Sequence, residues 1–280
     1  MKKLGKIIKE LDLEDRLDEV GRINGLQTGF KVLDRVTGGL QKGKLTLIGG
    51  RPSMGKTTLA LNIALNSFNL KKVGILIFSL ELSAKQLVIR LLKTQSKFQD
   101  VKNNETENTL LSSNIFIDDT SSLSIFEIMN RAAAHKQKND VYLIIIDYLQ
   151  LIESAKLNRS RSKNTIQNFE IITQMLQVLA ESLNIPILLL SQLPRQIETR
   201  GGDKRPRLFD LSEYGNIESF TDLVLFLYRP GYYGITINEM GEDIENQSEL
   251  IISKNRNGKT GTVLLKHDFE KAKFWERNQY

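Results

Sequence analysis

The chain has 280 residues, 40% hydrophobic and 26% charged, with a net charge of +6 and no cysteine. This suits one main globular domain with an appendage, and it excludes disulfides and cysteine-held zinc. The basic excess permits a polyanionic partner without requiring one. The longest apolar runs, such as residues 185–190, are too short to span a membrane, so a cytoplasmic protein with no membrane partner is expected.

Residues 1–20 read as one helix. Leu4, Ile7, Ile8, Leu11, Leu17 and Val20 fall roughly at helical spacing among mixed charges. Gly21, Asn24, Gly25 and Gly29 then break the chain. Apolar runs at 45–49, 73–79, 115–117, 141–147, 187–191 and 223–228 predict strands. Residues 56–68, 83–94, a stretch from Ser124, and 164–183 predict helices between them. Ser83 suits an N-cap, and Ser124 with Glu127 fits a capping box. Strands apolar on both faces and alternating with helices predict an α/β fold with a mostly parallel sheet flanked by helices. The end differs: residues 249–254 and 262–267 predict a C-terminal β-hairpin turning through Asn257-Gly258. Residues 154–163, 196–207 and 231–247 read as mobile loops.

Residues 50–57 spell GRPSMGKT, which matches G-x-x-x-x-G-K-[ST]. The run follows a predicted strand and opens a predicted helix, the context this phosphate-binding loop needs. Glycines let backbone N–H groups turn inward around a phosphate, and the helix N-terminus adds partial positive charge. Gly50, Arg51, Pro52, Ser53, Met54, Gly55, Lys56, Thr57 and the adjoining Thr58 are the expected nucleotide-binding residues. Lys56 supplies a point charge for the β- and γ-phosphates, and the Thr57 hydroxyl reaches Mg²⁺. ATP with Mg²⁺ is the expected ligand pair.

Asp147 closes the strand VYLIIID, the usual place for the acid that holds Mg²⁺ through water. Glu81 sits just past another strand. Ligands of open α/β sheets bind beyond the carboxyl ends of the strands, so Glu81 is placed to polarise a water attacking the γ-phosphate. Gln192 follows the strand at 187–191. It reads either as a γ-phosphate sensor or as a solvated loop amide.

The run of segments resembles the ATPase domain of the bacterial and phage replicative DNA helicases, the DnaB family. The pieces that carry the resemblance are TGFKVLDRVTGGLQKGKLTLIGGRPSMGKTTLAL, FSLELS, IIIDYLQLI, LLLSQLPR, GGDKRP and SKNRNGKTG, in family order from residue 28 to about 268. The resemblance implies a RecA-like P-loop ATPase core at 21–280 working in a homo-oligomer, a hexameric ring. ATP would be hydrolysed at subunit interfaces and single-stranded DNA threaded 5′-to-3′ through a central channel. Residues 1–20 are similar to the family's linker helix, which packs on the adjacent subunit. Glu81 corresponds to the catalytic glutamate, Asp147 to the Mg²⁺-linked aspartate, and Gln192 to the coupler of γ-phosphate and DNA. Lys254 and Arg256 match the pair that reaches a neighbour's nucleotide, and residues two apart on a strand share a face. Arg256 would act as an arginine finger.

Two loops after core strands carry the cations expected to hold DNA phosphates. Residues 154–163 contain Lys156, Arg159, Arg161 and Lys163; the second loop contains Arg195, Arg200, Lys204, Arg205 and Arg207. Glu213 and Gly215 match the family's main DNA-contacting loop, but Ser212 stands where an arginine is expected and Tyr214 replaces a serine. The segment IESFTD also departs from the family pattern. Family members carry an N-terminal helical domain that engages primase. This chain has only the 1–20 helix in its place, so primase docking through that domain is expected to be absent; a helicase loader is a further implied partner. The alternatives are a RecA-like recombination ATPase that binds DNA without unwinding it, and an ATP-dependent scaffold with weak DNA coupling.

Overall fold

A computed structural model describes residues 23–95, 110–153 and 165–276. The helix expected at 1–20 and the basic segment 154–163 lie outside the described residues. Nine strands form one sheet: β1 (Leu45–Gly50), β2 (Gly74–Ser79), β3 (Ile115–Asp118), β4 (Val141–Asp147), β5 (Ile187–Gln192), β6 (Leu223–Tyr228), β7 (Gln247–Asn255), β8 (Gly261–Asp268) and β9 (Lys273–Glu276). Their order is β3-β2-β4-β5-β1-β6-β7-β8-β9. The pairs from β3 to β6 are parallel, and those from β6 to β9 are antiparallel.

The helices are α1 (Lys31–Thr37), α2 (Lys56–Lys71), α3 (Ala84–Gln95), α4 (Ile125–Lys138), α5 (Thr165–Leu183) and the single turn α6 (Gln196–Thr199). The central parallel strands are buried on both faces, β3 at the edge only partly so, and each face has its own core. Ile75, Ile77, Leu143 and Ile145 pack with Leu59 and Ile63 of α2 and Leu87 and Leu91 of α3. Leu76, Phe78, Ile144 and Ile146 pack with Ile125 and Ile128 of α4 and Ile172 and Leu176 of α5. The alternation follows from the two-residue period of a strand. The expected capping box starts α4: Ser124 Oγ accepts from Glu127 N at 3.3 Å, and Glu127 Oε2 accepts from Ser124 N at 2.9 Å.

Three features differ from the sequence reading. The C-terminal hairpin is extended by a third strand, β9, whose four residues alternate buried and exposed under strongly charged flanks. The segment expected to be mobile from 196 to 207 contains α6 and is pinned at two points. Arg200 pairs with Asp210 at 3.0 Å and Arg205 with the buried Glu249 at 2.7 Å. In the third expected loop, Asn238 Oδ1 accepts from the backbones of Met240 and Glu242, and Ile237 bridges to Asp243. Local hydrogen bonds give that loop a defined turn. Among the described residues, no helix is long and apolar enough to cross a membrane.

α1 has no cap from its own sequence, because Phe30 occupies the N-cap position. A distant side chain does the work: Glu276 Oε1 accepts from Val32 N at 2.6 Å and Leu33 N at 3.4 Å. Another long-range tie joins β9 to α2. The buried Asn62 amide donates to the Thr58 carbonyl at 2.9 Å and the Ala272 carbonyl at 3.0 Å, and accepts from Phe274 N at 2.7 Å.

Candidate nucleotide site

Strand register builds the site. Gly50, the last residue of β1, lies beside Gln192, the last of β5. Ser79, the last of β2, lies beside Asp147, the last of β4. Four carboxyl ends therefore come level along one edge of the sheet, where ligands of such folds bind. The turn after β2 carries Glu81 to the same edge, fixed by Ser79 Oγ donating to the Leu82 carbonyl at 2.6 Å. The resulting cleft holds about 490 Å³ and is lined by Lys56, Thr57, Glu81, Asp147 and Gln192, among others.

The cradle is a tight loop feeding α2. Gly55 has φ +98°, and a Cβ there would stand 2.8 Å from the Phe269 ring. Both the backbone and the close approach require glycine. The Lys56 ammonium is folded onto the carbonyl oxygens of Gly50 at 2.9 Å and Arg51 at 3.1 Å. Burial pulls its pKa down to about 8, against the opposing pull of Asp147 and Glu81. Thr57 Oγ1 donates to Asp147 Oδ2 at 2.7 Å. Burial raises the Asp147 carboxyl above its ordinary range, Glu81 adds to that, and the Thr57 hydrogen bond and Lys56 oppose it.

The motif's letters do not all face the cleft. Arg51 turns its guanidinium away, donating to the Leu193 carbonyl at 2.6 Å and pairing with Glu198 at 3.0 Å. Met54 is buried in the core. Gln192 is held by its backbone. The Gln150 amide accepts from Gln192 N at 3.1 Å and donates to Gln192 O at 3.1 Å. Arg90, Lys93, Tyr148, Phe269 and Ala272 also line the cleft. Motif reading missed Arg90, Lys93, Phe269 and Ala272, because they come from a helix face and from the distant β8–β9 turn; Tyr148 lies inside the motif IIIDYLQLI, but its letter gives no direction.

Lys254 and Arg256 are absent from this cleft. Lys254 Nζ donates to the Glu218 carbonyl at 2.5 Å, and Arg256 Nη2 to the Ser219 carbonyl at 2.5 Å. Both point at the turn before β6, which meets β1 at Leu45, the end opposite Gly50. The five-residue rise along β1, roughly 16 Å, separates Leu45 from Gly50 in the chain's own cradle. Burial first, then Arg256, holds the Lys254 pKa below its ordinary value.

The residues expected to meet DNA lie on α6 and on the segment that follows it. Arg195 is exposed at the start of α6. Arg200 and Arg205 are engaged as described, and Lys204 donates to the Arg200 carbonyl. Ser212 and Glu213 are exposed on the 3₁₀ segment Leu208–Tyr214. Gly215, at φ +80°, leaves no room for a Cβ against Glu170. Tyr214 faces inward, edge-on to Phe169 at 5.4 Å; burial lifts its pKa to about 12. The aromatic that does face solvent on this segment is Phe209, 81% exposed.

Comparison with known proteins matches residues 25–276 to the family model of the DnaB-like helicase C terminal domain. A probable replicative DNA helicase of Trieres chinensis is 42% identical over 90% of this chain and 57% of its own length. The replicative DNA helicase DnaB of Geobacillus stearothermophilus is 40% identical over 91% of this chain and 57% of its own length. The chain thus spans little more than half the length of these curated relatives. Among solved structures, one described as an ATPase domain superposes with a TM-score of 0.82 at 34% identity, covering 98% of this chain and 97% of that one. A DnaB-like replicative helicase, described with its primase interactions, gives the same score and identity over 98% of this chain and 66% of that one. The expected fold class and family resemblance both hold: this chain belongs to the DnaB-like helicase C-terminal domain family.

Proposed function

We propose that this chain is the ATP-driven motor of a replicative DNA helicase, hydrolysing ATP at sites shared between subunits of a ring, a hexamer, and moving along single-stranded DNA. The observation that carries this reading is a division of labour. One edge of the sheet gathers Lys56, Thr57, Glu81, Asp147 and Gln192, while the cations Lys254 and Arg256 stand at the opposite end of β1. A finger that distant from its own cradle serves another subunit's.

The donor set suits Mg²⁺. Thr57 and Asp147 offer hard oxygens 2.7 Å apart, and Mg²⁺ takes few protein ligands beside water and phosphate oxygens. Among the described residues, no cluster of three His, Cys, Asp or Glu side chains competes for a metal. Bound there, Mg²⁺ would neutralise phosphate charge. Lys56 would exchange its contacts with the Gly50 and Arg51 carbonyls for phosphate oxygens. Glu81, exposed at the rim, would orient the attacking water and take its proton. Gln192 would contact the γ-phosphate and transmit its presence along the loop that follows β5. Arg256 of one subunit would offset the charge developing in its neighbour's site. Arg195, Arg200, Lys204, Arg205, Glu213 and Gly215 are proposed to face the DNA strand.

The test is ATPase rate against single-stranded DNA concentration at two salt levels, with oligomer mass measured alongside. DNA should raise turnover of the assembled form, and less so at high salt. A rate indifferent to DNA in a fully assembled ring would overturn the motor reading.

A further inference from the structure

We propose that Asp222 is a positioning residue for the shared site: its carboxylate aims Arg256 at the neighbouring subunit. This rests on the reading that Arg256 acts across the interface. Asp222, the residue before β6, is 5% exposed. Its Oδ2 accepts from Leu45 N at 3.1 Å, while its Oδ1 faces Arg256 Nη1 at 3.3 Å and Lys44 Nζ at 3.5 Å. Its backbone is tied to the same two partners: Asp222 N donates to Leu45 O at 2.9 Å, and Arg256 N donates to Asp222 O at 2.9 Å.

One side chain thus binds the root of β1 and the guanidinium together. Arg256 has a second anchor in the Ser219 carbonyl at 2.5 Å, yet its side chain stays 42% exposed. A guanidinium carries five N–H donors. Two are used here to fix its plane, and the others are left to meet a phosphate. An arginine without such anchors would have to lose its rotamer freedom in the transition state; one already aimed does not. The far end of β1 is the cradle. Asp222 therefore fixes the angle between the site a subunit owns and the finger it lends, and in a closed ring that angle recurs at every interface.

The test is Asp222→Asn. This nearly isosteric change can still serve Leu45 N with its amide oxygen, but it then turns an NH₂ toward the guanidinium. We expect kcat to fall by about 10-fold or more, with KM for ATP within about 3-fold and assembly mass unchanged. Affinity for ADP with aluminium fluoride should fall by a similar factor, while affinity for ADP alone holds. Added to Arg256→Ala, the change should cost no further turnover. Mixed with Lys56→Ala subunits, which lend an intact finger, Asp222→Asn cradles should regain activity, as Arg256→Ala cradles should in the parallel control. Wild-type kcat, or rescue of Arg256→Ala without rescue of Asp222→Asn, would overturn the proposal. No rescue of Arg256→Ala in verified mixed rings would instead overturn the shared-site reading beneath it. Should Asp222→Asn fail to fold, Asp222→Glu keeps the charge and displaces the carboxylate; the same loss of kcat is expected, and its absence would be equally fatal.

Discussion

Replacing Asn62 with leucine tests how the C-terminal strands hold the nucleotide face. The side chain is 2% exposed and bonds to three backbone groups. Their fates differ. The Thr58 carbonyl lies inside α2, where the helix's own bonding can serve it. The Ala272 carbonyl keeps a share of the Thr94 hydroxyl at 2.9 Å, whose one proton also meets the Arg90 carbonyl at 2.9 Å, so its loss is one ordinary hydrogen bond, about 0.5–1.5 kcal/mol. Phe274 N–H has no second partner among the described residues and would be buried bare, at about 1–3 kcal/mol. The sum is about 1.5–4.5 kcal/mol, a large share of the ~5–15 kcal/mol of a typical fold. Urea unfolding followed by circular dichroism should show the midpoint falling at constant m. Asn62→Asp should be worse, since it keeps the acceptor but sets a carboxylate against two carbonyls. A leucine variant within about 0.5 kcal/mol of wild type, or an aspartate variant milder than leucine, would mean that β9 does not dock through this amide.

Four further outcomes can be checked. Lys56→Ala should abolish turnover and weaken nucleotide binding, read by steady-state kinetics and titration of a fluorescent nucleotide. Arg205→Ala leaves the buried Glu249 carboxylate without its bidentate partner; with Arg205 itself half-exposed, unfolding free energy should drop by about 1–3 kcal/mol even with no DNA present. Phe209→Ala should weaken binding of single-stranded DNA by about 5- to 100-fold, the worth of one stacked base. The salt slope should not change, since no phosphate contact is removed. His267 is held neutral: burial, with Arg229 nearby, pulls its pKa from 6.5 to about 4. The unfolded chain therefore binds the proton more readily. The stability gained by staying neutral is complete above pH 6.5 and is lost as pH falls toward 4. At ~1.4 kcal/mol per pH unit the loss approaches 3 kcal/mol, and solvent screening lowers it to about 2. Melting curves of His267→Gln should flatten over that window.

The parallel sheet was legible because its strands are unbroken apolar runs and its helices lie between them. The cradle was legible because a phosphate loop needs glycine, lysine and threonine at fixed spacing, and Asp147 because an acid at the end of a buried strand stands out. β9 escaped notice for a physical reason. Its four residues have no period of their own, and their pairing partner and Asn62 tie are long-range. The same holds for side-chain direction. Position in the motif cannot say that Arg51 turns to Glu198, nor charge that Arg205 is bound to Glu249, nor type that Tyr214 points inward while Phe209 points out. Each of those outcomes is decided by residues far away in sequence.

The cap on α1 has a bearing on how the protein is made. Val32 and Leu33 leave the ribosome long before the carboxylate that satisfies them, which belongs to Glu276. Asn62 waits equally long for Phe274. The sheet's own pairs lie nearer in sequence, although β1 must wait for β5 and β6. The helix behind the phosphate cradle cannot be sealed until the last described strand has been translated. A chain arrested before that strand would have its phosphate motif in full but a nucleotide face still open to water and to chaperones. Nucleotide binding by truncated nascent chains would then date the completion of the fold.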